Sequence, residues 1–311
     1  MNPGRSPMKL ETLTTGYVVP MVFPDDLKWR HDYATANGMY RDDRSALTNV
    51  RFRSWGTEHL LIRCIRKNLP WIRDIIILLA RKSQIQQWML EEIAATTKGM
   101  PRVRIVLHGD FIPDRFLPTF NSRAIEMFLH RIPDLAPQFL YGNDDMFPLA
   151  PLCEEHFYKD GLPRLHYTRK RFDAANTFHM ACMNGMNFVA GQFGLHFQKE
   201  WLHLGHNVVP VLRETCEKFW SRHRGEMEAS VTRFREPRNY NQYIYSWWHI
   251  LSGLYDDYRM PGMYVSDGNT MEEIVCAIRT ADGLLCINDR TAAADFTSIA
   301  ATVRREISLR L

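Results

Sequence analysis

Nowhere do the 311 residues offer the ~20 consecutive apolar side chains that a membrane-spanning helix needs; the greasiest run, Ile75 to Ala80, is bracketed by Asp74 and Arg81. The opening Met1-Asn2-Pro3-Gly4-Arg5 has no apolar stretch followed by a small-residue cleavage site, so nothing there marks the chain for secretion. The six cysteines (Cys64, Cys153, Cys182, Cys216, Cys276, Cys286) show neither CxxC pairing nor metal-ligand spacing, and reduced thiols in the cytoplasm are the expectation. No Walker loop, GxGxxG, HExxH or GxSxG is present. A dominant charge is missing too: 39 Lys+Arg against 35 Asp+Glu leaves +4, too small and dispersed for a nucleic-acid partner, though suited to anionic ligands. Repeats and low-complexity tracts are absent.

With 45% hydrophobic and 24% charged residues the chain is that of an ordinary globular protein. Its first half alternates strand-like and helix-like segments, the pattern of an α/β sheet with crossover helices. Tyr17 to Phe23 reads as a buried strand ended by Pro24-Asp25-Asp26. Leu60, Leu61, Cys64, Ile65 and Leu69 recur at the helical period before Pro70, and Ile75 to Ala80 follows as a strand. Ser83 is expected to cap a helix to Ala95, and Val103 to Leu107 forms the next strand. Ser122 is read as the cap of a helix reaching His130, and Phe139 to Tyr141 as a strand ending in Gly142-Asn143-Asp144-Asp145. Beyond it come a mixed connection to about Arg171, a helical stretch from Phe178, amphipathic helices at Val208 to Arg222 and Tyr240 to Leu254, and a strand at Gly283 to Ile287 that finishes in Asn288-Asp289.

Carboxylates at a strand's carboxyl end matter because open α/β sheets bind ligands there. Asp144 and Asp145 repel each other unless a cation neutralises them, and hard oxygens suit Mg²⁺ or Mn²⁺; a solvated turn is the plain alternative. Glu126 on the preceding helix is a candidate third carboxylate for the same crevice. His206, one of twelve histidines, could carry a proton or sit idle on the surface. Arg53 in Arg51-Phe52-Arg53 and Arg235 in Arg233-Phe234-Arg235 suit bidentate phosphate contact, or equally a solvated salt bridge. The aromatic cluster Tyr243 to Trp248 reads as helix core.

Asp110-Phe111-Ile112-Pro113, Leu117 to Ser122, Ala124-Ile125-Glu126, His130-Arg131-Ile132-Pro133 and Asn143-Asp144-Asp145-Met146-Phe147 closely resemble the second region of the Stealth proteins. That family includes bacterial capsular polysaccharide phosphotransferases and the animal enzyme that places GlcNAc-phosphate on lysosomal glycoproteins. Arg53 to Trp71 resembles the lead into that region, Gly205-His206 through Arg235 and Tyr243 the third, and Cys286-Ile287-Asn288-Asp289 the fourth. The first is poorer: Met21 to Trp29 keeps an acidic pair and a Trp where the family shows a Trp-Val-Asp-Gly type sequence. Gly142 stands where a larger residue is usual, and the Pro after the family histidine is displaced to Pro210.

The resemblance implies an α/β, GT-A-like nucleotide-sugar-binding sheet with crossover helices and a mostly helical C-terminal addition. It implies essential roles for Glu126, Asp145, His206 and Arg235, substrate contacts from Arg53, Asn121, Ser122, Asn143 and Asn288, and a Mg²⁺ (or Mn²⁺) on Asp144, Asp145 and Asp289. The expected organisation is one catalytic unit: an α/β core over about 15–150, a mainly helical addition over about 151–275, then a returning strand and helix over about 276–311. The expected reaction moves a sugar 1-phosphate from a nucleotide-diphosphate sugar to a glycan hydroxyl in capsule or exopolysaccharide synthesis, with His206 or Glu126 as base. A metal-dependent glycosyltransferase releasing a nucleoside diphosphate is the second reading, and a non-catalytic glycan-binding or assembly protein the third. The expected partners are the donor, a glycan or polysaccharide acceptor and, at the inner face of the membrane, a polysaccharide-assembly complex.

Overall fold

The computed structural model describes residues 15–39, 53–289 and 295–311, so the Met1 to Arg5 reading and Arg51-Phe52 lie outside the described residues. The chain is mixed α/β. It begins with β1 (Thr15–Pro20), α1 (Leu27–Met39), α2 (Glu58–Asn68), β2 (Asp74–Leu79), α3 (Gln87–Ala94) and β3 (Arg102–Leu107). β1, β2 and β3 are parallel neighbours. The apolar residues of β1 and β2 run on without alternation because both faces are covered: Tyr17, Val19, Ile75 and Ile77 face one core, and Val18, Ile76 and Leu78 face the other. α2 buries Leu60, Leu61, Cys64 and Ile65, with Glu58 in its first turn and Arg66 and Lys67 in its last to complement the helix dipole.

α4 (Ser122–Met127) leads to β4 (Gln138–Tyr141), which pairs parallel with the other edge of β1, and β5 (Met146–Pro148) follows. The parallel order is therefore β3-β2-β1-β4. Chain direction around the sheet reverses between β1 and β4, and a crevice opens at the carboxyl ends of those two strands.

The segment expected to be mainly helical is not. Three short strands, β6 (Tyr158–Lys159), β7 (Leu162–Leu165) and β8 (Thr168–Arg171), precede α5 (Thr177–Gly191), and β9 (Glu200–His203) pairs back onto β8. The single helix expected over Val208 to Arg222 is a strand, β10 (Val209–Leu212), joined directly to α6 (Arg213–Arg222). β10 adds antiparallel to β4 as the edge of the main sheet. An edge strand tolerates Pro210, which has no N–H to donate, and the flanking valines favour extended backbone.

Next come α7 (Arg224–Ala229), α8 (Tyr243–Ser252), β11 (Asp256–Asp257), β12 (Gly262–Ser266), α9 (Met271–Thr280), β13 (Leu284–Asn288) and α10 (Phe296–Arg310). β13 lies between β12 and β5 in a separate three-stranded sheet. α2, α9, α10 and β13 fill the core on one face of the main sheet, and α4, α5, α6 and α8 fill the other. Tyr243, Tyr245 and Trp247 are core residues of that second face. All six cysteines are free thiols, with Cys153 and Cys276 exposed. Among the described residues no helix is long and apolar enough to cross a membrane.

Two caps differ from expectation. Ser83 lies in a 3-10 turn, Lys82–Gln84, and its hydroxyl donates to Asp26 (2.7 Å) instead of capping, so α3 starts only at Gln87. Asn121, not Ser122, caps α4, which gives way after Met127 to a 3-10 turn at Leu129–Arg131.

Gly142 ends β4 against the buried Tyr17: a β-carbon added there would lie 2.2 Å from the Tyr17 hydroxyl. Gly142→Ala is expected to destabilise the protein by about 1–3 kcal/mol in urea unfolding, and an unchanged midpoint would show that the contact has slack.

Candidate active site

A cleft of about 330 Å³ opens at the carboxyl ends of β1 and β4. Asp145 anchors it. The turn after β4 swings this residue toward β13, where the Ile287 amide donates to its main-chain carbonyl (2.9 Å). Its Oδ2 accepts from Asn288 Nδ2 (3.1 Å) and the Cys286 thiol (3.5 Å) and lies 3.3 Å from His206 Nε2. Its Oδ1 is buried without a partner.

His206 stands in the loop between β9 and β10. Gly205 takes a left-handed conformation (φ +80°) to turn that loop, and the Tyr243 hydroxyl on α8 donates to its carbonyl (2.8 Å). Burial opposes charge on the imidazole, but the Asp145 hydrogen bond and charge outweigh it and hold His206 above its ordinary value. Asp144 also lines the cleft, and its carboxyl is pushed up to about 7 by burial, then by Asp145 and Glu58.

The third carboxylate beside this pair is Glu58, not Glu126. Glu58, the first residue of α2, lines the cleft and accepts a hydrogen bond from the Ser54 hydroxyl. Glu126 lies beneath the lining, its oxygens accepting from the Tyr141 hydroxyl (3.2 Å) and the Gln242 amide (3.0 Å). Burial pushes its pKa up, against the pull of those bonds and of Arg123 and Arg235.

Arg235 lines the cleft and donates to Ser122 Oγ (2.8 Å), so the N-terminus of α4 and the 230s loop meet there. Asn121 joins these elements from inside. It is fully buried and off the cleft; its Nδ2 donates to Thr232 O (3.1 Å), Phe234 O (3.1 Å) and Asn239 Oδ1 (3.0 Å), while its Oδ1 accepts from the Arg123 amide. It is placed as a brace and not as a substrate contact. Asn143 and Asn288 line the cleft.

Arg53 and Asp289, expected to face a phosphate and a metal respectively, face each other. Arg53 Nε donates to Asp289 Oδ2 (2.9 Å), its Nη2 also reaches Asp289 and Asp267, and its guanidinium lies 3.9 Å over the Phe296 ring. Asp289 is thereby committed to a cation the protein already supplies. The aromatic rim went unread in the sequence: Trp29 and Tyr33 of α1 stack at 5.3 Å, and Phe120 meets Trp29 edge-on at 5.5 Å. Their i, i+4 spacing is the signal that could have found them. Asp26 of the acidic pair before them serves the start of α1, accepting from the Lys28 amide (3.0 Å).

Two outcomes follow from this geometry. Asn121→Ala removes a helix cap and three buried bonds, and is expected to cost about 2 kcal/mol or more in urea unfolding; a neutral effect would deny the brace. Asp144 stays protonated in the folded chain up to about pH 7, while the unfolded chain ionises it near its ordinary value of about 4. Stability therefore falls as pH rises through that window. In metal-free buffer Asp144→Asn should match the wild type near the lower bound and exceed it by about 1–3 kcal/mol above the upper one, and a difference independent of pH would contradict the assignment.

Residues 51–165 match the family model described as Stealth protein CR2, conserved region 2. The chain is 32% identical over 206 residues to the capsular polysaccharide phosphotransferase fcs1 of Haemophilus influenzae, covering 63% of this chain and 53% of that protein. It is 26% identical to the receptor polysaccharide phosphotransferase WefC of Streptococcus gordonii, with 88% and 89% covered, and 26% identical to the capsular polysaccharide phosphotransferase WcwK of Streptococcus pneumoniae, with 93% and 94% covered. The chain thus spans about half the length of the Haemophilus relative and about nine tenths of the streptococcal ones. The family match falls on the segment that builds α2, β2, β3, α4, β4 and the Asn143-Asp144-Asp145 turn, so the elements that form the cleft are similar to conserved region 2 of the Stealth proteins.

Proposed function

We propose that this chain is a phosphotransferase of surface-polysaccharide synthesis, moving a sugar 1-phosphate from a nucleotide-diphosphate sugar to a glycan hydroxyl. A bond forms between the acceptor oxygen and the phosphorus that bears the sugar. The bond from that phosphorus to the nucleoside monophosphate breaks, and the hydroxyl proton goes to the protein. The names of the relatives support the reaction class. The observation that carries the reading is the pairing of Asp145 with His206, 3.3 Å apart, in a cleft that Arg235 also lines.

Phosphoryl transfer is mainly a matter of positioning and charge neutralisation. His206 is the base: with its Nε2–H directed at Asp145, the other ring nitrogen, Nδ1, takes the proton, whereas both oxygens of Glu126 are occupied beneath the cleft. Because Asp145 favours the charged imidazole, kcat/KM should rise with pH through an ionisation above the ordinary histidine value. Arg235, steered by Ser122, stabilises charge at the attacked phosphoryl group. Arg53 is neutralised by Asp289 and Asp267, and sets the wall of the cleft. Among hard-oxygen cations, Mg²⁺ or Mn²⁺ fits the remaining donors: Asp145 Oδ1 is buried and unpartnered, and Asp144 resists ionising beside Asp145 until a cation joins them. Asp145 and Asp144 would hold it, and when bound it neutralises the donor's diphosphate.

The reversal of strand order at the cleft supports a GT-A-like, nucleotide-sugar-binding reading of the sheet. Donors of this kind are made in the bacterial cytoplasm, so the reading places the chain there, beside a membrane assembly that receives its product.

Phosphorus NMR of the protein with Mg²⁺, a panel of nucleotide-diphosphate sugars and a glycan acceptor should show a phosphodiester signal and a nucleoside monophosphate. Release of a nucleoside diphosphate would make the chain a conventional glycosyltransferase instead. Asp145→Asn, His206→Ala and Arg235→Ala should each lower kcat by about 10²–10³ with unfolding midpoints reported alongside, and full turnover in a folded variant would remove that residue from the mechanism.

A further inference from the structure

A second cavity, of about 310 Å³, adjoins the first, and His206 lines both. The two differ in chemistry. The donor cleft is lined by the ionisable side chains of Asp144, Asp145 and Arg235, with one Asp145 oxygen unpartnered. In the second cavity the charges are satisfied or suppressed except at the exposed Arg259. Arg164 donates to Asp256 (2.8 Å) and lies 4.0 Å over the Tyr258 ring, and His166 sits 2.9 Å from Asp257. Burial and Lys170 push His203 down to about 4, so it is neutral. Beside Arg259 stand hydroxyl and amide groups from Thr168, Ser246 and Asn207 and the phenol rings of Tyr258 and Tyr264. Tyr264, on β12, is 48% exposed. A sugar ring has an apolar C–H face and a hydroxyl edge, and amphipathic tyrosines beside uncharged hydrogen-bonding groups match both.

Resting on the phosphotransferase reading, we propose that this second cavity seats the acceptor glycan, so that its attacking hydroxyl meets His206 from the side opposite the donor. In-line displacement requires the attacking and leaving oxygens to lie on opposite sides of phosphorus. Two cavities that meet at one imidazole supply that arrangement: the hydroxyl proton passes to His206 as the new oxygen–phosphorus bond forms, and the nucleoside monophosphate leaves on the far side. The loop that divides them is held by the Tyr243 hydroxyl on the Gly205 carbonyl.

The test uses the whole chain with Tyr264→Ala, which removes the ring, and Thr168→Trp, which fills the cavity; both side chains are exposed. Each should raise the acceptor KM tenfold or more and leave the donor KM unchanged. Saturation-transfer NMR with a panel of neutral hexose and hexosamine di- to tetrasaccharides should show contacts with the wild type that fade in Thr168→Trp and persist when a nucleoside monophosphate fills the first cleft. The proposal is overturned if the variants raise the donor KM instead, if neither KM moves, or if the nucleotide displaces the saccharide. A wild-type chain that releases no nucleoside monophosphate from any donor overturns the phosphotransferase reading by itself, a result the saccharide-binding arm records separately.

Discussion

A half-buried carboxylate with one oxygen crowded and the other bare is the constraint around which this protein is arranged. Asp145 Oδ2 gathers a thiol, an amide and an imidazole, while its Oδ1 has no partner. Desolvating a carboxylate is costly unless hydrogen bonds or charge compensate it, so the groups that reach it must be held firmly. Each comes from a different part of the chain. The turn that carries Asp145 starts at Gly142, packed on Tyr17 of β1; β13 brings Cys286 and Asn288; the β9–β10 loop brings His206. Removing any one of these supports leaves the carboxylate with one partner fewer.

The second half of the chain is thus not an appendage to the first. β10 completes the main sheet on the flank of β4, and α8 braces the loop between β9 and β10 through Tyr243. β13 and α10 close the opposite face of the sheet. The cleft lies where these additions meet the carboxyl ends of β1 and β4, and its charges are sorted by pairing. Arg53 is given to Asp289 and Asp267, Arg235 is turned by Ser122, and Asp144 is left beside Asp145 with its ionisation suppressed. A near-zero total charge conceals that local separation, which is what a polyanionic donor and a divalent cation require of a site.

The central strands were legible because β1, β2 and β4 are buried on both faces and leave unbroken apolar runs. α2 was legible because its apolar stripe keeps the helical period before Pro70. Edge elements were not. β10 has a half-polar neighbourhood and flows straight into α6, so its periodicity reads as one helix; only its pairing to β4 makes it a strand. α9 was overlooked although Thr270 and Glu273 form a reciprocal capping box, a signal visible in the sequence. Ser83 and Ser122 were sound local caps displaced by partners remote in sequence, Asp26 for the first and the Asn121 network for the second.

The sequence by itself determined the alternation of strands and helices, the acidic turn at the end of β4, and a resemblance to the Stealth proteins that the family match over residues 51–165 supports. These are local patterns and residue types, and local information suffices for them. Tertiary structure alone decided which charges meet. It put Glu58 rather than Glu126 beside Asp144, joined Arg53 to Asp289, buried Asn121 as a brace, and set His206 between two cavities. Such pairings depend on distances between segments far apart in the chain, and one hydrogen bond across the fold redirects a side chain without leaving any trace in the spacing of the residues around it.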